Sequence, residues 1–241
     1  ADGEKLAVLA REHDRILMVG HVFLYNSTIV ALKKIIEDGA LGDIYYMSFV
    51  RTNLGPVRTD VNALWDLATH DVSIMNFLLN GTPKSVSAIG QSFLNRGVED
   101  AVFATYSYAN GTTAHIHASW LNPQKVRLLT VVGSRMMAVW NDLDLREPIR
   151  LFDKRVEIPA PTAVEGTYLE HKTMVVDGGS SAPYVTLNRP LEAECAHFLK
   201  CIAADERPLT DGRNGIDVIR CLEAATASIR GRGLTTQIEA T

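Results

Sequence analysis

Residues 85–153 constrain the fold of this chain most, because their apolar side chains recur with a period of two in short runs separated by turn-forming residues. Such a pattern predicts consecutive antiparallel strands, since a strand covered on one face alternates inward and outward side chains. Asn110-Gly111 between two runs predicts a two-residue hairpin turn that pairs Tyr106 with His115. The predicted strands are residues 85–93, 101–108, 112–121, 126–132, 136–140 and 149–153.

Patterns typical of helices and of further strands surround this run. The apolar segment 15–20 predicts a strand buried on both faces, and the aromatic and β-branched segment 44–51 predicts another. Residues 165–190 predict a long loop around one short strand at 171–176. Amphipathic periods predict helices over residues 1–13, 27–38, 61–80, 191–204 and 214–230.

The order of these elements predicts an α+β fold, built on a large, open, mostly antiparallel sheet with helices on one face. A doubly wound fold is not indicated, because strands and helices do not alternate through the chain. No G-x-G-x-x-G motif follows any predicted strand, so the sequence offers no dinucleotide-binding turn of its own.

Charge and cysteine content narrow the choice of partners and of compartment. A formal net charge of -4 and scattered Lys and Arg residues argue against nucleic acid as a partner. No apolar run approaches the roughly 18 residues that span a bilayer, which argues against a membrane partner. Three cysteines without paired spacing indicate a reduced protein, and we expect it in the cytoplasm.

One predicted helix carries the best candidate for chemistry. Asp66 and His70 are four residues apart, a spacing that places both side chains on one helical face. A carboxylate hydrogen-bonded to an imidazole fixes its tautomer and raises its basicity, which suits proton transfer to or from a hydroxyl group. The same spacing fits a pair that only caps or crosslinks the helix, and spacing alone favours that structural alternative.

The predicted strands carry further polar candidates. His115 and His117 share one face of a strand, but no third ligand stands at useful spacing, so no metal site is expected. Trp120 would lie on the other face, where core packing and contact with a sugar ring are both open. Lys125 and Arg127 alternate on one side of their strand, within reach of an anionic substrate or a neighbouring subunit.

A series of short motifs covers nearly the whole chain: Leu17-Met18-Val19-Gly20-His21, Gly39-Ala40-Leu41-Gly42, Leu64-Trp65-Asp66-Leu67-Ala68-Thr69-His70-Asp71, Glu99-Asp100, Asn110-Gly111, Ser119-Trp120-Leu121, Val131-Val132-Gly133-Ser134, Pro190-Leu191 and His197-Phe198. Together they resemble the Gfo/Idh/MocA family, the glucose-fructose oxidoreductase and inositol dehydrogenase group. The resemblance implies that residues 15–241 form a substrate-binding and oligomerisation domain. It also implies that residues 1–14 are a remnant helix from the junction with a nucleotide-binding domain outside this chain.

The resemblance also implies roles for individual residues. The family's D-x-x-x-H motif falls on Asp66 and His70, which makes them the expected catalytic pair, with His70 as proton donor or acceptor. Asn53 matches a position that often contacts a polyol or sugar, although a solvated loop residue is an equal alternative. The remaining candidates for substrate binding are Arg58, Asn62, Tyr25 and Trp120, and for Arg58 and Asn62 the alternative of a solvated loop residue is favoured.

Two departures from the family pattern concern cofactor and substrate contacts. Family members usually supply a catalytic lysine from a Glu-Lys-Pro motif, whereas Glu4-Lys5 is followed here by Leu6. We therefore expect the true lysine, like the cofactor-binding residues, upstream of residue 1. Many relatives carry substrate-binding arginines after the position of Gly20, where this chain has Phe23, so its substrate must be anchored differently.

The resemblance predicts an oxidoreductase that uses NAD or NADP and acts on a hydroxyl or carbonyl group of a sugar, nucleotide sugar or polyol. The chain alone is expected to be inactive, because its cofactor would be bound mainly by the domain outside it. The alternative is a non-catalytic substrate-binding or dimerisation module. In either case, a homo-oligomer through the open face of the sheet is expected.

Overall fold

The computed structural model describes residues 2–157 and 173–239. Within these ranges, a 3-10 turn at Val22–Tyr25 and a π-helical turn at Leu64–Ala68 accompany the regular elements. The described helices are α1 Asp2–Glu12, α2 Ser27–Glu37, α3 Thr69–Leu78, α4 Pro190–Ala204 and α5 Gly212–Arg230. The described strands are β1 Ile44–Leu54, β2 Ser85–Gln91, β3 Ala101–Ser107, β4 Thr113–Ser119, β5 Leu121–Gly133, β6 Met137–Asn141, β7 Ile149–Glu157, β8 Met174–Ser181 and β9 Thr236–Gln237.

The described strands form one nine-stranded sheet in the order β8-β7-β6-β5-β1-β4-β3-β2-β9. All neighbouring strands are antiparallel except β1 and β4, which run parallel. This architecture confirms the predicted α+β class with a large, open, mostly antiparallel sheet. The long connection between β1 and β4 contains α3, which agrees with the need of parallel strands for a crossover.

The two faces of the sheet differ in exposure. We define the covered face of the sheet as the face that carries the buried side chains Met47, Phe49, Tyr106 and Ile116. These side chains pack with the helices in a single hydrophobic core. Three helices contribute side chains to that core: α2 with Ile29 and Leu32, α3 with Ile74 and Met75, and α5 with Val218 and Leu222. We define the open face as the opposite face of the sheet. Its side chains Tyr46, Ile89, Phe103 and His115 are exposed.

The predicted strand at residues 15–20 is wrong. The segment makes a single isolated bridge, between Met18 and Asp211, and does not join the sheet. Its backbone bonds instead to the chain that precedes α5, where the Val19 N–H donates to the Thr210 carbonyl at 2.7 Å. Its side chains from residue 16 to 19 are only half-buried, so an apolar run here does not mark a strand with two covered faces.

The predicted two-residue hairpin at Asn110-Gly111 is also wrong. The Tyr108 N–H donates to the Thr112 carbonyl at 2.9 Å, which leaves a three-residue loop closed by Gly111 at φ +87°. A glycine with positive φ is typical of such loops. Tyr106 therefore pairs with Ala114 instead of His115, and the two predicted partners lie on opposite faces.

Three further boundaries differ from the predictions. The helix predicted over residues 61–80 is divided into the π-helical turn and α3. The strand predicted at 126–132 extends in β5 from Leu121 to Gly133. Of the loop predicted over residues 165–190, residues 165–172 lie outside the described residues, and its glycine-rich centre belongs to strand β8 rather than to a loop.

Candidate active site

A cavity of about 250 Å³ lies at the end of β1 and β5 on the covered face. It brings together three of the predicted site residues, Asn53, Asp66 and His70. Lys125 and Arg127, the strand residues predicted to share one side, also border it. Its complete lining is Phe23, Arg51, Thr52, Asn53, Asp66, Leu67, His70, Lys125, Val126 and Arg127.

Strand register and the π-helical turn place these residues. Arg51 of β1 lies directly opposite Arg127 of β5, so both point to the covered face. Asn53 and Lys125 follow on the same face, because each is two residues from one of these arginines. The turn Leu64–Ala68 carries Asp66 and leads directly into the first turn of α3, which carries His70. Single π-helical turns occur frequently at functional sites.

Asp66 does not hold His70 in the way that the sequence suggested. The structure describes both residues and shows no hydrogen bond between their side chains. The Trp120 indole N–H donates to Asp66 Oδ2 at 2.9 Å, and Arg58 Nη1 donates to Oδ1 at 3.3 Å. The expected carboxylate–imidazole hydrogen bond is therefore wrong, and Asp66 acts on His70 through its charge.

His70 has an unusual electrostatic environment. Its Nδ1 atom is buried without a hydrogen-bond partner among the described residues. Burial, followed by the positive charge of Arg51, lowers the pKa of His70 to about 4, and the opposing effect of Asp66 is smaller. The imidazole is consequently neutral at pH 7, which is the form that accepts a proton.

Phe23 supports the basic side of the cavity. The guanidinium carbon of Arg51 lies 4.6 Å from the Phe23 ring centroid, and that of Arg127 lies 5.9 Å from it. The His70 ring contacts the same phenyl ring with centroids 5.0 Å apart. This residue was the predicted departure from a family position that carries arginines. The arginines of this cavity come instead from two strands, and they stack over the phenyl ring.

Arg51 is the site residue that sequence reasoning missed. Its Nη2 donates to Asp71 Oδ1 at 2.6 Å and its Nε to Oδ2 at 3.0 Å, and both side chains are buried. Burial raises the pKa of Asp71, and Arg51 opposes that rise. The available signals were an arginine inside an otherwise apolar and aromatic strand, and an aspartate directly after His70.

The other predicted substrate contacts lie outside this cavity. Tyr25 is buried, and its hydroxyl lies 2.9 Å from the Thr210 hydroxyl. Trp120 is 1% exposed, so its indole reaches the site only through Asp66.

Asn62 donates to Glu99 at 2.6 Å and lines a separate cavity of about 340 Å³. Arg58 is exposed and pairs with Asp60 as well as with Asp66. Contacts of these residues with a substrate stay predictions.

The described residues show neither a metal-binding cluster nor a membrane-spanning helix. In residues 2–157 and 173–239, no group of three or more His, Cys, Asp or Glu side chains has the arrangement of a metal site. None of the helices within those ranges has the length and apolar character needed to cross a bilayer.

Comparison with protein families identifies the domain. Residues 29–139 match the family model described as the GFO/IDH/MocA C-terminal domain. This part of the chain is therefore similar to the GFO/IDH/MocA C-terminal domain. The match includes β1 to β5 and the whole segment from Asp66 to His70, and therefore every residue that lines the cavity except Phe23. It confirms the resemblance deduced from the motifs.

Solved structures share the fold of this chain at low sequence identity. UDP-N-acetylglucosamine 3-dehydrogenase from Acidithiobacillus ferrooxidans is 22% identical with a TM-score of 0.73, over 95% of this chain and 67% of that chain. Aldose-aldose oxidoreductase from Caulobacter crescentus, complexed with glycerol, is 17% identical with a TM-score of 0.76, over 98% and 68%. The WlbA dehydrogenase from Bordetella pertussis, in complex with NADH and UDP-GlcNAcA, is 20% identical with a TM-score of 0.74, over 100% and 68%. No curated protein sequence matches the chain.

Proposed function

We propose that this domain is the substrate side of an NAD- or NADP-dependent oxidoreductase acting on a hydroxyl or carbonyl group of a sugar, nucleotide sugar or polyol. The substrate occupies the cavity of about 250 Å³, and His70 accepts or returns the hydroxyl proton. The observation that carries the proposal is a neutral imidazole at this cavity with a buried, unpartnered Nδ1 atom. A buried polar atom without a partner is costly, and such costs are typical of functional sites.

The roles of the lining residues follow from their contacts. When the substrate is oxidised, its hydroxyl proton moves to His70, and in the reverse direction His70 returns it to the carbonyl oxygen. Asp66, fixed by Trp120 and Arg58, supplies a nearby negative charge that favours the imidazolium formed in that step. Asn53 offers an amide donor and acceptor to neighbouring hydroxyl groups.

The described residues fit proton transfer but do not themselves fit a dinucleotide. The sequence has no G-x-G-x-x-G motif, and the connection that follows β1, which is the parallel neighbour of β4, has no glycine-rich turn to hold a pyrophosphate at a helix N-terminus. We therefore propose that the nucleotide is held by residues outside 15–241. Nicotinamide would supply hydride acceptance or donation when bound. The NADH complexes of the WlbA dehydrogenase and of levoglucosan dehydrogenase support a cofactor of this class.

Replacing His70 tests the proposed function directly. In the active enzyme, His70→Asn keeps a polar side chain but removes the titratable nitrogen pair, so kcat is expected to fall by about 10² to 10⁴ with a modest change in KM. Steady-state kinetics on purified enzyme measures both constants. The matched control is His115→Asn on the open face, which should leave kcat unchanged. A His70→Asn enzyme that keeps more than about a tenth of the turnover contradicts the proton-transfer role.

We also propose that the protein self-associates through the open face. Ile89 and Phe103 are directly paired across β2 and β3, and they are 53% and 55% exposed. The Phe103 ring stacks on His117 with centroids 4.4 Å apart, and Tyr46 lies against His115 on the neighbouring strands. An exposed apolar and aromatic patch of this kind is typical of an interaction surface. A second copy of the same face would cover it.

The cysteines support a reducing compartment, and the cytoplasm remains our proposal for it. Cys195 is exposed, and Cys201 and Cys221 are buried, all three as free thiols. Burial raises the pKa of the Cys221 thiol to about 12, which makes it unreactive at neutral pH. Cys195 is exposed without a disulfide partner, an arrangement that an oxidising environment would not preserve.

A further inference from the structure

The cavity holds more positive charge than its proton-transfer role requires. Arg51 and Arg127 are a directly opposed pair across β1 and β5, and Lys125 stands two residues from Arg127 on the same face. Like charges directly opposite each other destabilise a sheet. Their presence at one cavity therefore calls for a compensating anion.

Carboxylates behind the cavity compensate the two guanidinium groups but not the lysine. Asp71 pairs with Arg51, and Asp142 pairs with Arg127 at 2.9 Å, and neither aspartate lines the cavity. Asp66 does line it, but that carboxylate is already bonded to Arg58 and Trp120. Arg58 pairs with Asp60 as well as with Asp66, so the acidic and basic side chains around the cavity balance in number. Lys125 is exposed and is the basic group among them that lacks an ion pair with the described residues.

Unused hydrogen-bond donors of Arg127 lie near the unpaired Lys125. Arg127 uses Nη1 for Asp142, and its remaining N–H groups make no hydrogen bond with the described residues. The Phe23 ring lies 5.9 Å from that guanidinium and limits its freedom to reorient. A fixed guanidinium beside an ammonium group suits an anion, because charge-assisted hydrogen bonds are about twice as strong as neutral ones.

We propose that the substrate carries a carboxylate, which Lys125 and Arg127 bind while His70 serves a hydroxyl group of the same molecule. The substrate class is then a hydroxylated carboxylic acid such as a sugar acid, not a neutral sugar. This inference rests on the proposed function of the same cavity. An unpaired ammonium group beside free guanidinium N–H donors matches a carboxylate, whose two oxygens can accept from both side chains.

Calorimetry on the 241-residue chain tests the inference without a requirement for turnover. The probes are glucuronate and glucose, which share a ring and differ in a carboxylate against a hydroxymethyl group. We expect glucuronate to bind at least about tenfold more tightly than glucose at low salt. Lys125→Gln should remove most of that preference. Lys34→Gln, which removes an exposed lysine of α2 remote from the cavity, should leave the glucuronate affinity within about twofold.

Other results overturn the inference. Equal affinities for glucuronate and glucose, no glucuronate binding at about 10 mM, or equal losses in Lys125→Gln and Lys34→Gln each contradict the carboxylate site. Tighter binding of glucose 6-phosphate than of glucuronate assigns the positive charge to a phosphate and also contradicts it. The proposed function is judged separately. Full turnover in His70→Asn overturns proton transfer even if the carboxylate preference holds, and loss of turnover with equal affinities overturns only the carboxylate.

Discussion

Two pairs of histidines lie on opposite faces of the sheet and behave differently. His21 and His70 are on the covered side, where burial is the main cause that lowers the pKa of each to about 4. Each has a buried ring nitrogen without a partner among the described residues. On the open face, His115 lies 2.9 Å from the Thr105 hydroxyl and His117 stacks on Phe103. Of the two pairs, only His21 and His70 have a buried ring nitrogen that could accept a hydrogen bond from another molecule or donate one to it.

This difference is our reason for proposing proton transfer at Asp66 and His70 and not at His115 and His117. His115-x-His117 is the more conspicuous pattern in the sequence, since two histidines alternate on a strand. Asp66 and His70 are conspicuous only through spacing and resemblance. Buried polar atoms are nearly always hydrogen-bonded, so a buried, unpartnered imidazole nitrogen at a cavity indicates a site more strongly than two histidines on the open face do.

The largest effect that we predict on folding concerns the covered side. Arg51→Met leaves Asp71 buried without its partner, so the free energy of unfolding should fall by about 3–5 kcal/mol in urea titrations. Arg150→Met breaks the exposed pair with Glu147 and is the matched control, with an expected loss below about 1 kcal/mol. Similar losses in the two variants would show that burial does not distinguish these ion pairs.

A smaller effect concerns pH. The pKa of His21 and His70 falls from 6.5 to about 4 on folding, so between these pH values the unfolded chain binds more protons than the folded one. The free energy of unfolding should therefore decrease as the pH falls from 6.5 towards 4, and His21→Leu should weaken that dependence by about 1–3 kcal/mol. Urea titrations at pH 7 and pH 4.5 measure it. An unchanged dependence in His21→Leu, or the same change in the exposed His13→Leu, contradicts the assignment.

The smallest effect on folding is expected on the open face. Phe103→Asp should change the free energy of unfolding by no more than about 1 kcal/mol, because the ring is already more than half exposed. Its effect should appear in light scattering, where the variant becomes monomeric at concentrations at which the unaltered protein is a dimer or larger. Leu145→Asp, an exposed loop residue, is the control. A monomeric unaltered protein at micromolar concentration removes the case for self-association.

The sequence by itself determined the class of fold and part of the site. Alternating apolar residues between 85 and 153 were sufficient for the open antiparallel sheet, because the period of two is a local property of each strand. Asp66, His70 and Asn53 were recognisable from spacing and resemblance, and the structure places all three at one cavity. Their catalytic and binding roles remain predictions.

Only the tertiary structure decided the contacts that join distant segments. Arg51 and Arg127 are far apart in the chain, and strand register makes them neighbours over the Phe23 ring. Asp66 bonds to Trp120 rather than to His70, and no local pattern predicts that choice because it depends on how the π-helical turn packs on the sheet. Period and spacing act along the chain and are legible in sequence, whereas register, burial and the pKa of His70 arise from segments brought together by folding.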